Sequence, residues 1–168
     1  MNEYQELVDL LNREEDWIIR HLVEFAKAND YAKYTSTLEE AWRASIRGIN
    51  HTFQESVRNI EGIPEHRPDR DYANDPLAAF GVQEARLHRS RGVTLSMFLG
   101  LTKYYRQAYI DCVRQKVSGE KAERFRTYID RVFDHFEMGF ISEWTSSDKP
   151  KLLNELHGRN RAITNEKN

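Results

Sequence analysis

Only one cysteine and four prolines occur in the 168 residues of this chain. A single thiol, Cys112, excludes an internal disulfide and any CxxC metal or redox motif. Its place in a helical pattern makes it a small core hydrophobe. The scarcity of proline, with only eight glycines, leaves few chain breaks and favours long helices over many short strands. The longest weakly polar run, Gly92 to Thr102, is too short to cross a bilayer, so no membrane insertion is expected. The opening segment MNEYQELVDLLNREED is acidic, unlike a secretory signal or a transit peptide, and a cytoplasmic location is expected. Neither sign of charge dominates. A net charge of −2 gives no global reason to expect nucleic acid or an anionic membrane as partner.

Catalytic signatures are missing too. There is no P-loop, no Gly-x-Ser-x-Gly elbow and no acid pair marked for catalysis. Di-iron bundles need Glu-x-x-His on their helices, and no Asp or Glu stands three residues before any of the six histidines. No enzymatic activity, metal or cofactor is therefore expected in this chain. His21, His51, His88 and His135 each fall on a separate predicted helix, and would be the ligands to test if haem were found.

What is present is helical periodicity. The first helix is predicted over about 2–28, with Leu7, Leu11, Ile18, Leu22 and Phe25 inward and Trp17 beside them. Thr37 followed by Glu40 is a capping-box signature for a second helix. Its apolar line is Leu38, Trp42, Ser45, Ile49, Phe53, Val57 and Ile60. Residues 62–75 form one long irregular stretch. Asp75 before Pro76 then predicts a capped third helix over 76–91, stopping at Gly92. Thr94 caps a fourth over 95–117, and Ser118 a fifth over 119–145, with Phe125, Ile129, Val132, Phe136, Phe140 and Trp144 inside. In 148–168, Leu153, Leu156, Asn160 and Ile163 keep a 3-4-3 spacing, a thin coiled-coil seam with a polar member. The expected architecture is all-α: a globin-like or four-helix-bundle core over 1–147 and a C-terminal connector helix over 148–168. A seam of that kind needs a partner, which predicts a parallel homodimer. It also makes the chain look like an input module cut before its output domain.

The candidate site lies around the Gly92 turn. From Ala85 to Ile110 the sequence has no acidic residue but holds Arg86, Arg89, Arg91, Lys103 and Arg106. This basic stretch flanks a helix start, whose free amides favour a small anionic ligand. Phe80, Glu84, Leu87, His88 and Arg91 share one helix face, and Tyr105 and Tyr109 bring hydroxyls from the next helix. Glu84, His88, Arg91, Tyr105, Arg106 and Tyr109 are thus the candidate ligand-binding set. Two plainer readings stand beside it. Acidic side chains of other helices, the first helix's cluster for example, could neutralise the arginines. The polar groups could also form an internal network that fixes helix register. On the binding reading Arg91 lies inside or beside the bundle and Arg89 is exposed, so Arg91→Ala is the more damaging change.

Two segments carry a resemblance. His88 to Tyr109 (HRSRGVTLSMFLGLTKYYRQAY) resembles a stretch in the helical N-terminal sensory domains of bacterial histidine kinases and of stressosome-type RsbR co-antagonist proteins. There an Arg-x-x-Gly-Val/Ile-x-Leu turn opens a helix with a Tyr/Arg-rich face. Asn160 to Asn168 (NRAITNEKN) resembles the linker before a PAS domain in many such kinases. The resemblance implies a cytoplasmic, dimeric, all-α sensor module relaying to downstream PAS and kinase domains, without catalysis of its own. A stressosome-like scaffold module without a small ligand is the alternative. No ligand residue is carried over from either family.

Overall fold

The computed structural model describes residues 3–30 and 39–146. They form helices α1 (Glu3–Arg13), α2 (Glu15–Ala28), α3 (Glu39–Asn59), α4 (Ala79–Ser90), α5 (Leu95–Lys116) and α6 (Gly119–Ser146), with a 3-10 turn at Pro76–Ala78 before α4. The fold is an all-α bundle, with no strand among the described residues. The predicted cap at Thr37 and the seam residues Leu153, Leu156, Asn160 and Ile163 lie outside the described residues. No described helix is long and apolar enough to cross a membrane.

The predicted first helix is in fact two. At Glu14 the backbone leaves helical geometry (φ −95°, ψ 15°), yet the ladder continues through Glu14 N–H to Leu10 O and Ile18 N–H to Glu14 O, both 2.9 Å. The kink lets each half follow its own neighbour: α1 packs mainly on α3, and α2 mainly on α5. Leu7, Leu11, Ile18 and Leu22 are all fully buried across it.

The other boundaries follow local chemistry. Asp75 accepts from the Leu77 amide, as an N-cap should, but the first turn behind Pro76 is 3-10 before α4 proper begins. Thr94 accepts from the Met97 amide and opens α5. Helix α4 ends in a Schellman arrangement, with Val93 N–H on His88 O and Gly92 N–H on Arg89 O, both 3.2 Å. That turn needs a left-handed residue, and Gly92 has φ +76°.

The 28-residue α6 is the hub. It packs on α4 most extensively, then on α5 and the 3-10 turn, with lesser contacts to α1 and α3. Its inner face supplies Phe125, Tyr128, Ile129, Val132, Phe133, Phe136 and Phe140 to a core shared with the aliphatic side chains of α1 to α3, with Tyr4, Trp42 and Phe53, and with Phe98, Tyr105, Tyr109 and Val113 of α5. Phe53 and Tyr109 stack at 5.7 Å, and Phe133 meets Tyr109 edge-on at 5.5 Å. Where hydroxyls enter this core they are satisfied: Tyr109 donates to Asn50 Oδ1 (2.7 Å), and Tyr128 pairs with Ser56 (2.6 Å). Cys112 is fully buried, and burial pushes its thiol up to about 12. It is a core residue and a poor nucleophile.

Candidate ligand cavity

Helix α4 divides its faces sharply. Gly81, Val82 and Ala85 are buried. Phe80, Gln83, Glu84, Leu87, His88 and Arg91 instead line a cavity of about 510 Å³. The start of α3 closes one side with Ala41, Trp42, Ala44 and Ser45, and α5 closes another with Met97, Phe98, Leu101 and Tyr105. This size falls within the usual range for small-molecule sites, about 300–1,000 Å³. The walls are mainly apolar and aromatic, and a few polar groups converge on them.

Those polar groups are held in place. The His88 ring packs against Phe98 at 4.7 Å between centroids, and its Nδ1–H donates to the Glu84 carbonyl at 2.9 Å. A carbonyl only accepts, so the proton sits on Nδ1 and Nε2 is left for another partner. The Glu84 carboxylate oxygen lies 3.4 Å from the same Nδ1. Burial raises the Glu84 carboxyl above its ordinary value, and the charges of His88 and Arg91 offset this only in part. Tyr105 is buried, hydrogen-bonded to Ser45 and stacked on Trp42 at 5.8 Å; burial drives its phenol far up. It stays a neutral hydroxyl at any working pH. Leu87 is the one large hydrophobic among the described residues that is strongly exposed, at 41%.

Of the predicted set, the fold gathers Glu84, His88, Arg91 and Tyr105 around this cavity. It sends the other two elsewhere. Arg106 lies across α6, 3.0 Å from Asp134 and 3.2 Å from Glu137, with its guanidinium over Phe133. Tyr109 is sealed in the core against Asn50 and the Ile46 carbonyl. The basic stretch is largely neutralised, and by α6 rather than by the first helix. Arg86 and Arg89 reach Glu143, while Lys103 and Arg106 reach Glu137.

Arg89 and Arg91 exchange the places expected of them. Arg91 is exposed. Arg89 is only partly exposed: it donates to the Glu143 and Trp144 carbonyls at 3.1 and 3.3 Å and lies over the Trp144 ring. A cation on the last carbonyls of a helix satisfies acceptors that have no partner within it. Arg89→Ala is therefore expected to cost roughly 1–2 kcal/mol, and Arg91→Ala roughly 0.5 kcal/mol or less. Thermal melts of the two variants check this, and a larger loss for Arg91→Ala would contradict the assignment.

One polar cluster has no counterpart in the sequence reading. His135 is fully buried on α6. Its Nδ1 lies 2.8 Å from Asp75 Oδ2 and its Nε2 3.1 Å from the Glu65 carbonyl. Arg70 closes on the same carboxylate at 2.7 Å. The signal available in the sequence was a histidine beside the apolar line of α6, but its partners are supplied by the irregular segment far away. Among the described residues no three His, Cys, Asp or Glu side chains are grouped to hold a metal ion. Comparison with known protein families, with curated proteins and with solved structures finds no match for this chain.

Proposed function

We propose that the chain is the signal-input and dimerisation domain of a cytoplasmic bacterial sensor histidine kinase. In this reading it senses a small ligand in the cavity between α3, α4 and α5, and relays occupancy through α6 to PAS and kinase domains that follow in the same protein. It performs no catalysis itself. The observation that carries the reading is the double role of α4. One face presents Phe80, Glu84, Leu87, His88 and Arg91 to the cavity. The other lies so close to α6 that a methyl group on Gly81 would sit 2.0 Å from the Phe136 carbonyl oxygen. A ligand that prefers one position of α4 shifts the population of that position, and α6 cannot ignore the shift because no slack separates the two backbones. Past α6 the sequence carries the 3-4-3 spacing of Leu153, Leu156, Asn160 and Ile163, a pattern suited to pairing two copies of a chain. The resemblance of 88–109 and 160–168 to sensor-kinase segments points the same way.

The coding sequence past Asn168 tests this directly. A PAS domain and kinase core there is the expected result. A STAS domain would instead make the chain a stressosome-like scaffold module, and neither would remove the signalling reading. Sedimentation velocity over a range of concentrations is expected to show a homodimer. A concentration-independent monomer would remove the dimerisation role. A dimer that survives truncation after Ser147 would move the interface onto the core helices.

A further inference from the structure

The cavity's charges and walls also select among ligand classes, provided that it is a ligand site as read above. Its walls supply broad apolar surface from Trp42, Phe80, Phe98 and Leu101, with Leu87 exposed among the lining residues. Its formal charges are one carboxyl, Glu84, against one guanidinium, Arg91, with His88 able to add a second positive charge. The two sides of this account are not equally available. Arg91 is exposed and forms no ion pair among the described residues, while the other basic groups of this stretch are engaged by α6. His88 spends Nδ1 on the Glu84 carbonyl and keeps Nε2 without a partner among the described residues. Glu84 is the opposite case. It is largely buried (its side chain 14% exposed) and already lies beside His88, and burial favours its neutral form. An incoming ammonium would meet the Arg91 guanidinium among the lining groups and would compete with His88 for Glu84. An incoming carboxylate would find a guanidinium engaged in no ion pair among the described residues, and a bidentate arginine contact suits a planar carboxylate well. Because Nδ1 already donates to the Glu84 carbonyl, His88 can donate to that carboxylate from Nε2 only as the imidazolium. A multiply charged phosphate fits less well, because only one arginine faces mainly apolar walls.

We propose that the cavity binds a small amphiphilic carboxylate, its apolar body against Trp42, Phe80, Phe98 and Leu101 and its carboxylate held by Arg91, with His88 joining through Nε2–H when its ring is protonated. Glu84 and Tyr105 then act as polar neighbours that set the depth of the body, and the carboxylate stays at the Arg91 end of α4.

Calorimetric titration of the full chain with probes sharing one body and differing in the head group tests this. Octanoate, octanol and octylamine form one series; hydrocinnamate and its alcohol and amine form an aromatic one. The carboxylate of at least one series is expected to bind at least tenfold more tightly than its alcohol or amine. Arg91→Gln, a change at an exposed position, should erase that preference, leave the weaker alcohol binding in place and leave the circular dichroism spectrum unchanged. Equal or tighter binding of alcohol or amine would overturn the carboxylate class while leaving the cavity as a ligand site. Carboxylate binding that Arg91→Gln does not weaken would overturn the placement of the head group. No heat and no thermal shift with any of the six probes would remove both this proposal and the ligand-sensing reading on which it rests.

Discussion

Asp75→Ala is expected to destabilise the protein by about 3–5 kcal/mol, the usual loss when one member of a buried ion pair is removed. Both oxygens of this carboxylate are occupied. Oδ2 faces His135 Nδ1 at 2.8 Å and Arg70 Nε at 2.7 Å, and Oδ1 accepts from Arg70 Nη2 and the Leu77 amide, each at 3.1 Å. His135 Nε2 donates to the Glu65 carbonyl, since a carbonyl only accepts, and Nδ1 faces the carboxylate, so both ring nitrogens are engaged. Losing Asp75 leaves buried Nδ1 without its partner, removes the cap of the turn into α4 and frees Arg70 from its counter-charge. The same residues pin the irregular segment to α6. Within that segment Tyr72, itself buried, donates to the Arg67 carbonyl at 2.9 Å. Equilibrium urea unfolding is the measurement, together with the double variant Asp75→Ala, His135→Leu. If the pair is the source of the loss, the double variant should lose less than the sum of the two single changes. Additive losses would mean that the two side chains contribute independently.

Acid should act on the same cluster. Burial tends to raise the Asp75 carboxyl, but hydrogen bonds from His135, Arg70 and the Leu77 amide outweigh it and hold the group below its ordinary value of 3.8. In the unfolded chain this carboxyl takes up a proton more readily than in the folded one. Its contribution is therefore complete above the ordinary value and is lost as the pH falls through the lower folded value. The stability of Asp75→Asn should then fall less steeply than that of the wild type below about pH 4. Parallel acid limbs for the two proteins would place the protonation elsewhere.

The sequence made part of this structure legible and hid the rest for physical reasons. The apolar lines of α3 and α6 were legible because a helix buries side chains at a fixed period, and Trp42, Phe53, Phe125, Ile129 and Phe140 are all buried. Asp75 and Thr94 read correctly because a cap is a local device. The break at Glu14 did not show, because the hydrogen-bond ladder runs through it and no glycine or proline marks it. In the site, the α4 face was legible from i, i+3, i+4 spacing. Arg106 and Tyr109 were misplaced because the pattern on α5 does not say which neighbour covers each of its sides. Arg89 and Arg91 stand about 200° apart on a helix of 3.6 residues per turn. Which one meets α6 depends on how α4 docks, and the Gly92 turn then leaves Arg91 exposed. His135 stayed hidden for a related reason. Its partners come from an irregular segment, where no period relates sequence to position.

The docking of α4 on α6 is also where a single methyl group should do most harm. A Cβ built on Gly81 would lie 2.0 Å from the Phe136 carbonyl oxygen, 2.9 Å from its carbon and 3.1 Å from the Phe140 nitrogen. On Gly139 it would lie 2.4 Å from the Ala78 carbonyl oxygen and 2.7 Å from the Ala78 Cβ. These obstacles belong mostly to backbone, so no rotamer change relieves them, and the helices must separate. Gly81→Ala and Gly139→Ala are each expected to cost about 3 kcal/mol or more, the upper end of overpacking losses. Helix propensity pulls the other way, since alanine is favoured over glycine by about 1 kcal/mol inside a helix. The sign of the result is therefore informative. Gly48→Ala supplies the contrast: the three atoms nearest its Cβ all belong to the Phe80 ring, Cζ at 2.2 Å, and a side chain that lines a cavity can turn into it. That variant should lose less stability and should weaken any ligand of the cavity, because the displaced ring occupies ligand volume. Urea midpoints order the three proteins. Gly81→Ala as stable as the wild type would show that α4 and α6 can move apart freely. The close contact invoked to carry a signal from the cavity to α6 would then have no mechanical basis.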